Sequence, residues 1–131
     1  MMRTNEGEVV QACPAMTIKD CKRLQQSQRF DVTGIIDSFT DARRITDHRQ
    51  VRTITIIDDS GDEGKPGQLS ISFFMDLPLS QEDNATVEAL EEAVAGETKQ
   101  VYSLFSVQGC QRDKGYSFEV DSKREFFMVK A

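Results

Sequence analysis

Within ten residues the chain gathers Arg43, Arg44, His48, Arg49 and Arg52 against a single acid, Asp47. Guanidinium groups at that density suit phosphate, because each carries a fork of donors and a charge that does not titrate. A smaller basic group, Arg112 and Lys114 around Asp113, lies far along the chain. Between the two stands Leu69-Ser-Ile-Ser-Phe-Phe74, whose alternation puts Leu69, Ile71 and Phe73 on one face and Ser70, Ser72 and Phe74 on the other. An aromatic ring on a polar face is a platform for a stacked base, and a basic margin then holds the phosphates. Thr53 and Thr55 share the polar face of Val51–Ile57 and offer hydroxyls to the same ligand. Each feature also has a plainer account: a solvated charged loop, a ring covering a core edge, threonines favoured by strand geometry. Arg52 can equally flank the sheet in an ion pair, and Tyr116 shares a face with Phe118 that suits a core.

Other reactive residues do not assemble. There is no HExxH, phosphate loop, nucleophile elbow or glycine-rich dinucleotide fingerprint, so no enzymatic activity is expected. Asp58, Asp59, Asp62 and Glu63 lack the alternating ligands and closing glutamate of a calcium loop and read as a turn. Cys13, Cys21 and Cys110 are odd in number and widely spaced, and His48 is the one histidine. That pattern favours free thiols in a reducing compartment over disulfides or zinc. No metal or cofactor is expected.

The chain has 131 residues, 38% hydrophobic and 29% charged, which fits one globular domain. No apolar run approaches the ~20 residues of a spanning helix, so no membrane partner is expected. Met1 to Val10 carries Glu6 and Glu8 and lacks the apolar core of a secretory signal. The formal charge of −6 opposes a surface that is basic throughout, yet leaves room for a local basic face. From Asp76 to Glu97 there are seven acids and no Lys or Arg. The negative charge is therefore expected on a helix and on the Asp58–Glu63 turn, away from the centre of any groove.

Residues 1–15 read as an N-terminal tail and 16–131 as a single domain. Met16, Ile18, Cys21 and Leu24 fall near helical spacing and predict a short helix or turn. The period then becomes two: Arg29 to Phe39 is a strand that Gly34 interrupts, the place for a bulge or bend. Val51–Ile57 is β-branched at six of seven positions, a second strand, and Leu69–Phe73 is a third. Ser80 with Asp83 reads as a helix N-cap, Val87, Leu90 and Val94 as its apolar stripe, and Gly96 as its C′ residue. Gln100–Val107 and Gly115–Val120 are strands joined by a loop at 111–115, and Arg124–Lys130 supplies a last short strand. The order β-β-β-α-β-β, all-β with one helix, is that of the five-stranded Greek-key barrel called the OB-fold.

Phe30-Asp-Val-Thr-Gly-Ile-Ile-Asp-Ser-Phe39, Val51-Arg-Thr-Ile-Thr-Ile-Ile-Asp-Asp-Ser-Gly61 and Leu69-Ser-Ile-Ser-Phe-Phe74 resemble an OB domain of the replication protein A large subunit. The likeness is greatest to the second tandem DNA-binding domain, extends over about residues 16–120, and includes the lead-in Ile18-Lys-Asp-Cys21. It implies single-stranded DNA binding in the nucleus, in replication, recombination or repair, with tandem OB domains or other subunits as partners. It also implies that Phe74, where the family carries tryptophan, stacks on a base. A second stacking aromatic belongs in the loop between strands four and five, but here that loop, Gln111-Arg-Asp-Lys114, is short and has none.

The expected nucleic-acid contacts are therefore Arg43, Arg44, Arg49, Arg52, Thr53, Thr55, Phe74, Arg112, Lys114 and Tyr116. Two other uses of the barrel stay open. RNA suits the same groove chemistry. A protein–protein module suits the acidic balance, the short loop and an apolar Phe126-Phe127-Met128.

Overall fold

Met2–Arg3 (β1) pairs antiparallel with Val9–Val10 (β2), and Ala15–Met16 (β3) runs parallel to Asp31–Val32 in the main sheet. The computed structural model describes residues 2–3, 9–10, 14–24, 27–112, 115–121 and 127–130. Thr17 caps the four-residue helix α1, Ile18–Cys21, by accepting from the Asp20 N–H. The helix puts Ile18 and Cys21 into the core, as their spacing predicts. Burial first, then Asp58 and Asp20 nearby, push the Cys21 thiol up to about 12, so it is an inert apolar residue of the core.

Five long strands make the barrel: Gln28–Phe39 (β4), Arg49–Asp58 (β6), Gly67–Asp76 (β7), Val101–Arg112 (β8) and Gly115–Asp121 (β9). Arg43–Thr46 (β5) pairs with the start of β6, and Phe127–Lys130 (β10) pairs with β8. Around the barrel the order is β4, β6, β7, β9, β8 and back to β4, antiparallel except between β7 and β9. Closure depends on β4, which pairs with β8 over Gln28–Ile35 and with β6 over Ile35–Phe39. Gly34 stands at that exchange, and a Cβ there would drive into the carbonyl oxygen of Ile57. The register shifts lie on either side of it, at Phe30/Val32 and Ile36/Ser38.

The alternation of β7 is the plainest: Leu69, Ile71, Phe73 and Met75 are buried while Ser70, Ser72, Phe74 and Asp76 face outward. Val32, Ile36, Ile54, Ile56, Leu104 and Val120 fill the same core. Phe118 meets Phe30 there edge to face, centroids 5.9 Å apart. Helix α2, Gln81–Ala95, is capped by Ser80 as predicted and buries Val87, Leu90 and Ala93. Val94 packs at the margin of that stripe. Gly96 ends the helix with φ −64° and ψ 140°, so its capacity for positive φ goes unused.

Two segments differ from expectation. The polar stretch after Thr40 is half of a hairpin, with Arg43 opposite Val51 and Arg44 opposite Gln50. The hydroxyl of Thr46 accepts from the His48 N–H in its turn. Strand β8 runs on to Arg112, which pairs with Gly115, so Gln111, Arg112 and Gly115 of the loop expected at 111–115 belong to strands. Among the described residues no helix is long and apolar enough to cross a membrane.

Candidate nucleic-acid interface

The outward face of β6 and β7 is set by their ten-residue antiparallel register. Directly opposed residues share a face, and the pairs Thr55–Ser70, Thr53–Ser72 and Val51–Phe74 run in line along it. Phe74 is half-buried on that face, as its alternation predicts, with part of the ring in solvent. Thr53 stands beside it, half-buried. Thr55 is only 7% exposed, between Ser38 on β4 and Ser70 on β7, so its hydroxyl is not presented to a ligand as expected.

The four arginines separate into three situations. Arg43 lies across from Val51, which lies across from Phe74, so Arg43 extends the Phe74 face onto the hairpin. Arg44 takes the other face of the ribbon. Both are exposed, and neither side chain makes a hydrogen bond or ion pair among the described residues.

Arg49 is engaged. One guanidinium nitrogen donates to Asp76 at 2.7 Å and the other to Asp121 at 2.9 Å, stapling β6, β7 and β9 together. Its guanidinium carbon sits 5.7 Å from the centroid of Phe74. Burial alone would lower its pKa, but the hydrogen bonds and charges of Asp121 and then Asp76 raise it, so the group stays charged. Its charge is already matched by two carboxylates and is no net attractor of phosphate.

Arg52 belongs elsewhere. It lies opposite Phe73, on the core-facing side of β6. Its Nε donates to the Thr40 carbonyl at 2.7 Å, a terminal nitrogen donates to Glu91 of α2 at 2.9 Å, and its guanidinium lies 3.8 Å from the Phe39 centroid. The side chain is 13% exposed. It straps the helix to the barrel and is removed from the expected phosphate contacts.

Carboxylates enter the groove where none was expected. Asp76 follows Phe74 by two residues on the same face. Glu119 lies across from Ser72 and Asp121 across from Phe74. The parity of Asp76 is readable in sequence, but Glu119 and Asp121 reach this face only through the parallel β7–β9 pairing. Arg112 and Tyr116 belong to β8 and β9, but their side chains lie outside the described residues, as does Lys114 altogether.

At the far end of β6 the acidic turn borders a cavity of about 850 Å³. Ile35, Ile57 and Val101 line it together with Asp59, Asp62, Glu63 and Lys65, and Lys19 reaches Asp62 at 3.9 Å. Asp58 serves structure: its carboxylate accepts from the Ile18 N–H at 2.9 Å and from the N–H and hydroxyl of Ser60. Among the described residues no three His, Cys, Asp or Glu side chains gather in a way that could hold a metal ion.

Comparison with solved structures bears on this architecture. The chain superposes on the replication protein A heterotrimer bound to single-stranded DNA with a TM-score of 0.59, 18% identity, 95% of this chain and 26% of that one. On a complex of Pot1 (protection of telomere) with single-stranded DNA the values are 0.54, 20%, 88% and 61%. On the OB domain of Ta0387 from Thermoplasma acidophilum they are 0.52, 14%, 90% and 87%. The fold is the OB-fold. No protein-family model matches the chain, and no curated protein does. This OB barrel thus spans about a quarter of the replication protein A chain and under two-thirds of the Pot1 chain. At these identities the likeness is one of fold, and the function rests on the face described above.

Proposed function

We propose that the chain is a non-catalytic module that binds single-stranded DNA across the outer face of β6 and β7. The observation that carries this is the row Arg43–Val51–Phe74: a guanidinium unpaired among the described residues and a half-buried ring on one face of a closed barrel. The ring stacks under a base and the arginine meets the adjoining phosphate, a pairing indifferent to base identity. Arg44, Arg112 and Lys114 add positive charge at the two hairpins, and Thr53 offers a hydroxyl beside the ring. Two of the similar structures are complexes with single-stranded DNA, which supports the same use here.

We further propose residues 16–131 as the module and 1–15 as its extension. It acts in the nucleus during replication, recombination or repair, alongside tandem OB domains or partner subunits. One barrel with few contacts binds weakly, and linkage to a second raises the effective concentration of each. RNA is a second ligand class for the same groove, tested by competition with an oligouridine.

A protein-binding use is favoured by one specific observation: Asp76, Glu119 and Asp121 put three carboxylates on the groove face against the one guanidinium of Arg49, a net negative charge that opposes phosphate. The two uses separate in one experiment. Fluorescence anisotropy with a labelled oligothymidine is compared for wild type, Phe74→Ala and Arg43→Glu/Arg44→Glu. Loss of the stack is expected to cost about 1–3 kcal/mol, and the charge reversal is expected to abolish binding. Unchanged binding in both variants rejects this face as the DNA site.

A further inference from the structure

The two ends of β6 carry complementary chemistry. At the start, the hairpin exposes Ile45, 47% accessible, beside Arg43 and Arg44, neither paired among the described residues. At the end lies the cavity lined by Ile35, Ile57 and Val101 and by Asp59, Asp62 and Glu63, three acids against Lys65 and against Lys19, which reaches Asp62 at 3.9 Å. An apolar side chain flanked by cations complements an apolar hollow bordered mainly by anions in polarity and charge. Ten residues of strand separate them, about 30 Å at strand rise, so the hairpin cannot reach the cavity of its own chain.

We propose that the cavity receives the Arg43–Thr46 hairpin of a second copy of this chain. Ile45 of one copy enters the hollow, and a flanking arginine meets the acidic margin. Because the two surfaces differ, the contact is heterologous and propagates head to tail instead of closing into a symmetric dimer. A single side chain seated in one hollow is a small interface, so the association is weak and salt-sensitive. The proposal concerns protein alone and is tested without nucleic acid; Arg43 and Arg44 are common to both uses, so DNA and a second copy compete for them.

Sedimentation velocity of the full chain, without nucleic acid and up to about 1 mM, populates even a weak contact. The expected result is a mean mass that climbs with concentration and falls with added salt. Two variants block opposite halves: Ile45→Asp at the hairpin and Asp62→Lys/Glu63→Lys at the acidic margin, all exposed positions, with circular dichroism checking the fold. Each alone is expected to remain monomeric. Mixed, they retain one intact hairpin and one intact cavity, and are expected to form a one-to-one pair and nothing larger. A wild type that stays monomeric throughout overturns the proposal. So does association that persists in either variant, or a mixture that never pairs.

Discussion

Phe74 and Arg49 show how far a single residue can be read from its neighbours in sequence. Alternation with Ser70 and Ser72 is enough to place Phe74 outward, because side chains on a strand change face at every step. Arg49 is different. Its partners Asp76 and Asp121 lie 27 and 72 residues away, and the second reaches it through a parallel strand pairing that no local pattern encodes. Its basic neighbourhood in sequence therefore misleads, while its charge is spent in space. Asp58 is a similar case, a turn aspartate by sequence and the anchor of α1 in the structure. Burial alone would raise its carboxyl pKa, but donors from Ile18 and Ser60 outweigh that and hold it below the ordinary carboxylate range. A depressed folded-state pKa contributes stability above the unfolded value, and that contribution is lost as pH falls through the folded one. Urea denaturation across a pH series is therefore expected to show stability falling in the acid range. Asp58→Asn should be less stable at neutral pH and flatter through that range.

At the scale of elements, the strands that alternate and the helix that is capped were legible, because burial on one side writes a period into the sequence. The β5–β6 hairpin was not, since Arg43–Thr46 is exposed on both faces and carries no apolar period. The extension of β8 to Arg112 was hidden for the same reason, as Gln108 to Arg112 is mostly polar. Arg52 links two elements and gives a sharp test of the division among the arginines. Arg52→Ala removes the ring contact with Phe39 and the tie to half-exposed Glu91, and is expected to cost about 1–2 kcal/mol of stability. It should leave the salt dependence of DNA binding unchanged. A shallower salt slope in Arg52→Ala, with the melting temperature intact, would return Arg52 to the phosphate contacts.

For the whole molecule, closure of the barrel is the decisive feature, and it depends on β4 serving two partners. Gly34→Ala presses a methyl group into the Ile57 carbonyl where those partners exchange. The expected loss is about 1–3 kcal/mol, read as a lower urea midpoint with the wild-type slope. The charge of the molecule is also organised along the strands, with the exposed Arg43 and Arg44 beside the start of β6 and the acidic turn at its end. The net charge of −6 reports neither end. The central claim is that this OB barrel holds single strands through the ring of Phe74 and a small set of cations. The most direct measurement is binding of a labelled single strand, with its duplex as control, titrated at several salt concentrations. Four phosphate contacts, from Arg43, Arg44, Arg112 and Lys114, predict a log–log slope of about −3 for the single strand, with weaker binding to the duplex. No binding of folded protein to the single strand at low salt would contradict the account.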